Sequence, residues 1–97
     1  MSITAVPHQP RRNRARYNRR IIARAFGQTL RHLRQQAGLT QFELAERADI
    51  DFTYPSLLER GERQPSLTVL LALADALKVP LEVLVIRTRA QLARNRI

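Results

Sequence analysis

The sequence predicts a small all-α domain, and three observations predict it. Apolar residues recur at helical spacing, with Ile22, Phe26, Leu30, Leu33 and Ala37 separated by steps of four, four, three and four. A complete helix start signal, Thr40-Gln41-Phe42-Glu43, stands in mid-chain. Glycines stand where helices should stop, at Gly38 and Gly61. Ninety-seven residues that are 44% hydrophobic suffice for one domain with a real core.

Taken in order, Met1–Pro10 has two prolines, no charged side chain and no apolar periodicity, and reads as a flexible leader. Arg11–Arg20 is a basic arm with one aromatic, Tyr17, so leader and arm together span residues 1–20. A first helix begins near Arg20 and ends at Gly38, where a left-handed cap is cheap because glycine lacks Cβ. Thr40 and Glu43 can cap each other's amides, and Leu39 and Leu44 hold the two positions of a hydrophobic staple. A short second helix is expected over Gln41–Ala48.

Asp49-Ile50-Asp51 makes a tight turn, and Asp51 can cap a third helix over Phe52–Arg60. Pro55 falls within that helix's first turn, where one hydrogen bond is lost and a local distortion is expected. Gly61 closes the helix, and a polar loop runs to Pro65. Ser66 can cap a fourth helix, with Leu67, Leu70, Leu73, Ala74 and Leu77 as its apolar face and Lys78 suiting the dipole at its end. Pro80 opens a last segment, Leu81–Arg94. Its first residues, Leu81, Val83, Leu84, Val85 and Ile86, are apolar on every side; a helix is expected, although the β-branched residues also allow a short strand. This segment has more apolar faces than one helix side can bury, which predicts a homodimer. The folded domain is expected over residues 21–86, with 87–97 as a basic C-terminal helical extension.

Charge narrows the function. The net charge is +9 and the pI is near 11.7, which points to a polyanion partner. Residues 1–42 hold nine Arg and no acid, residues 43–82 hold eight acids against four bases, and residues 83–97 hold four Arg and no acid. An isolated charge run usually serves solubility, but six Arg within Arg11–Arg20 are dense enough to bind a polyanion. There are no cysteines, hence no disulfides or thiolate metal sites. No apolar run approaches a membrane span and no signal peptide is visible, so a cytoplasmic location without membrane contact is expected. His8 and His32 lack partners at metal-ligand spacing, no glycine-rich phosphate loop exists, and no side chains are placed to suggest a triad. Neither a cofactor nor an enzymatic activity is expected.

From Gly38 to Leu77 the chain resembles the lambda-repressor-like helix-turn-helix family, the Cro/repressor type. The resembling residues are Gly38-Leu39-Thr40-Gln41, Glu43-Leu44-Ala45, Leu58-Glu59-Arg60-Gly61, Pro65-Ser66-Leu67 and Leu73-Ala74-Asp75-Ala76-Leu77, in that order. The resemblance implies a compact five-helix fold, binding to double-stranded DNA and usually a dimer. It also implies that Arg34 of the first helix pairs with Glu59 across the core. Physical reasoning agrees on the motif: two short helices joined by a tight turn cross closely, and Ala45 is small enough for the contact. The second of the pair can then present its N-terminal side chains to a major groove.

The expected DNA contacts follow. Gln41 stands at the positive end of the second helix, where free amides can hold a phosphate, and Arg60 and Arg63 stand at basic phosphate positions. Arg11, Arg12, Arg14, Arg16, Arg19 and Arg20 would track the backbone or enter a minor groove. Carried over from the family, the outward positions of the recognition helix are Phe52, Thr53, Ser56 and Leu57. The family usually places Arg, Gln, Asn or Ser there, so Phe52 and Leu57 depart from it and offer only apolar contact, such as with a thymine methyl. Asp49 replaces a common glycine, and Pro55 replaces a buried Ile or Val. The leading expectation is a sequence-specific transcription regulator, a repressor or controller protein. Two alternatives stay open: a module that binds a partner protein through Phe52, Leu57 and Tyr54, and an RNA binder driven by the arm.

Overall fold

The computed structural model describes residues 17–96, and these form five α-helices and no strand. They are α1 Arg19–Gln36, α2 Gln41–Ala48, α3 Tyr54–Glu59, α4 Leu67–Leu77 and α5 Leu81–Asn95. α5 lies along α1, α3 crosses α1, and α2 packs on both α3 and α4. The core lies between them: Phe26, Leu30 and Leu33 from α1, Leu44 from α2, Leu58 from α3, Leu73 and Leu77 from α4, and Leu84 from α5. None of the helices among the described residues is long and apolar enough to cross a membrane.

Local chemistry explains each boundary. Asn18 accepts from the amide of Ile21 and caps α1, so Arg19 and Arg20 already occupy its first turn. α1 closes at Gly38, whose φ of 72° only glycine adopts without strain. The capping box of α2 is complete: Thr40 Oγ1 accepts from Glu43 N at 3.0 Å, and Glu43 accepts from Thr40 N at 2.9 Å. Leu39 and Leu44 are both buried beside it, as a staple requires. Asp49 ends α2 in the left-handed conformation at φ 55°, which short polar side chains tolerate. Ser66 caps α4 through the amide of Val69, and Lys78 ends it at φ 58° rather than merely facing the dipole. The Leu81–Ile86 segment is the start of α5, so the strand alternative is excluded, and the helix continues without a break through residues 87–95.

Four local expectations need correction. α3 begins at Tyr54, not Phe52. A start at Phe52 would put Pro55 where an amide must donate; a start at Tyr54 puts it in the first turn, where none is needed. Asp51 therefore does not cap a helix. Its carboxylate instead accepts from the amide and the hydroxyl of Thr53, closing the turn ahead of α3. Leu67 is 64% exposed, because with the exposed Leu71 and Asp75 it forms an α4 row turned away from the core. Ala37 is exposed as well, since the chain has already left α1 there.

One cap carboxylate and one turn carboxylate make acid sensitivity local. Backbone and hydroxyl hydrogen bonds from Thr40 hold the Glu43 carboxyl below the usual carboxylate range, and those from Thr53 do the same for Asp51. A depressed folded-state value means that the stabilisation is full above the unfolded value and disappears as pH falls through the folded one. A Glu43→Gln variant is expected to melt with less pH dependence below about pH 5 than the parent. Equal slopes in thermal melts from pH 6 to pH 2 would contradict this.

Candidate nucleic-acid interface

α2 and α3 meet at a fixed angle because two contacts hold them. Ala45 is fully buried, and its single methyl allows the close crossing. A polar clamp adds direction. Arg34 on α1 donates side-on to Glu59 at the end of α3, from Nε to Oε2 at 2.6 Å and from Nη2 to Oε1 at 3.0 Å. Arg34 Nη1 also donates to the carbonyl of Leu39 at 2.8 Å. The side chains of Arg34 and Glu59 are only 12% and 4% exposed. Hydrogen bonding to Glu59 raises the Arg34 pKa further, against the opposing effect of burial.

Gln41, the first residue of α2, donates from Nε2 to Glu59 Oε1 at 3.1 Å. Its amide nitrogen thus points into the clamp, and the unit formed by α1, α2 and α3 is joined at one carboxylate. Gln41 keeps its place at the positive end of α2, half-buried. The remaining expected contacts are distributed around this unit. Phe52 and Thr53 are exposed in the turn before α3, not on the helix itself, while Ser56 and Leu57 are half-buried on α3. Arg63 is exposed in the following loop, and Arg60 is exposed but paired with Glu62 at 2.9 Å. Arg19 and Arg20 are exposed on the first turn of α1. Arg11, Arg12, Arg14 and Arg16 lie outside the described residues, as does His8.

One functional neighbour is not evident from sequence spacing. Phe42 stacks on Phe52, with ring centroids 4.5 Å apart and an interplanar angle of 29°. Both rings are more than half exposed, at 53% and 58%. The signal was an aromatic at the second position of a helix whose core face falls at Leu44, Ala45 and Ala48. Among the described residues, no group of three His, Asp or Glu could hold a metal.

Known proteins are similar to this chain in sequence and fold. A family model for a helix-turn-helix domain matches residues 25–85. The transcriptional regulator ClgR of Mycobacterium tuberculosis is 34% identical over 75 residues, which cover 77% of this chain and 67% of the regulator. The restriction-modification controller protein C.AhdI from Aeromonas hydrophila is 42% identical with a TM-score of 0.63, over 64% of this chain and 94% of its own. The clp gene regulator ClgR from Corynebacterium glutamicum is 31% identical with a TM-score of 0.74, over 77% and 80%. The buried Ala45 crossing, the Arg34–Glu59 clamp and a family match over more than half the chain agree: this chain is a member of the Cro/repressor-type helix-turn-helix family.

Proposed function

We propose that the chain is a transcription regulator that binds duplex DNA as a homodimer, with the α2–turn–α3 unit in the major groove. One observation carries the reading: α2 and α3 are clamped to α1 by buried groups, while the turn presents the exposed Phe52 and Thr53 and the outer side of α3 the half-buried Ser56 and Leu57. The names of its relatives, regulators and a restriction-modification controller protein, support it. Selection of bound sequences from a random DNA pool at physiological salt tests it. An enriched palindrome is the expected result, and a pool that stays random would overturn the reading.

A palindrome needs a two-fold protein, and the surface supports one. On α5, Leu84 is fully buried but Val85 and Ile86 are 55% and 66% exposed, and on α4 the exposed Leu67 and Leu71 add apolar area. A second copy covering these residues would bury them and space two recognition units along the DNA. Sedimentation is expected to show dimer at tens of micromolar (roughly the range for weak association); monomer alone, with and without DNA, would contradict it.

Affinity must come largely from arginine. Asp49 and Asp51 are exposed at the turn and repel phosphate, so the basic residues at 11–20 are assigned to backbone contact. Removing residues 1–16 deletes four of those Arg and spares the Asn18 cap. The slope of log affinity against log salt should flatten by about 0.9 for each phosphate that the truncated chain no longer neutralises. An unchanged slope would show that these Arg do not touch DNA. The exposed Phe42–Phe52 pair also suits a protein partner; a partner-binding module would leave the DNA pool random.

A further inference from the structure

The surface that faces outward from the α2–α3 turn lacks the charged and amide side chains that usually read bases, and keeps only the half-buried Ser56 among the usual readers. Residues 49–58 contain no Arg, Lys, Asn or Gln. Gln41 directs its amide nitrogen to Glu59, and the hydroxyl proton of Thr53 goes to Asp51, leaving Thr53 an acceptor oxygen and its γ-methyl. What projects instead is the stacked Phe42–Phe52 pair, with the half-buried Leu57 on α3. The stack also fixes Phe52: a ring already packed on one face loses little freedom when its other edge meets a ligand.

Only one apolar group marks sequence in the major groove, the methyl on C5 of a pyrimidine, carried by thymine and by 5-methylcytosine. We propose that Phe52, held by Phe42, selects DNA sites by contact with pyrimidine C5-methyl groups, so that specificity rests on methyl burial more than on base-edge hydrogen bonds. The inference depends on the DNA-binding reading above and names what that surface recognises.

The test uses the full chain and the sequence enriched from the random pool. Each thymine in a half-site is replaced by uracil, which removes the methyl and keeps every hydrogen-bonding group. At the one or two positions under Phe52, affinity should fall about fourfold per methyl, the effect of exposing one buried methyl-sized group. Cytosine at the same position should bind about as weakly as uracil, and 5-methylcytosine should regain about fourfold over cytosine. Phe52→Ala, checked for an unchanged fold by circular dichroism, should bind thymine and uracil sites equally. Phe42→Ala should narrow the difference.

Equal binding of thymine and uracil sites by the parent chain would overturn the proposal and leave DNA binding standing. A thymine preference that survives in Phe52→Ala would overturn it too, by placing the methyl's effect in DNA shape. A pool that enriches nothing would remove both readings together.

Discussion

Glu59→Ala is expected to lower stability by about 3 kcal/mol, which for a domain of this size lowers the melting temperature by roughly 12–24 °C. The loss has two parts. Arg34, 12% exposed, keeps its bond to the Leu39 carbonyl but loses both bonds to a carboxylate, and Gln41 loses the acceptor that this clamp provides. A stranded charge, rather than a lost attraction, dominates such substitutions. Arg34→Ala should therefore be at least as harmful, because Glu59 is the more deeply buried partner and would retain only Gln41. The double change Arg34→Met with Glu59→Leu should recover much of the loss, since apolar packing often replaces a buried pair at little cost. A Glu59→Ala melting temperature within about 2 °C of the parent, a shift worth under about 1 kcal/mol, would show that the pair contributes nothing.

That pair was legible in the sequence through the family resemblance alone, which implies that residue 34 pairs with residue 59. Caps and stops were legible for a different reason: Thr40, Glu43, Gly38 and Gly61 act within a few residues of themselves, so their chemistry is written locally. The start of α3 was not. Asp51 can serve a helix or a turn, and Pro55 decides between them only once the position of each amide is counted. The exposed faces were harder still. Leu67 carries the same apolar signal as Leu73, and only the way α4 packs separates the exposed residue from the buried one. Phe52 read, with Leu57, as an apolar departure from its family; its partner Phe42 belongs to α2 and becomes visible when α2 and α3 are set at their angle. Side chains that meet across elements escape a reading based on periodicity.

Gly27 is the sharpest such case, and Gly27→Ala is expected to destabilise the domain by about 1–3 kcal/mol. Judged by its helix alone the prediction has the wrong sign, since alanine in place of glycine mid-helix gains about 1 kcal/mol. The crossing of α1 and α3 reverses it. A Cβ on Gly27 would be driven against the carbonyl oxygen of Leu58 and would stand 2.7 Å from the carbonyl oxygen of Glu59. These are backbone atoms at the end of α3, so no side chain can rotate away and the helix itself must move. Moving it draws Glu59 from Arg34 and Gln41, which couples the two sites. The Gly27→Ala, Glu59→Ala double variant should consequently lose less than the two single losses added, by at least about 0.5 kcal/mol. Because α3 is also the helix that positions the Phe52 turn, Gly27→Ala should weaken binding to the selected DNA site more than binding to random duplex, measured below the melting transition. A Gly27→Ala variant more stable than the parent would mean that α1 and α3 cross with more room than this geometry shows.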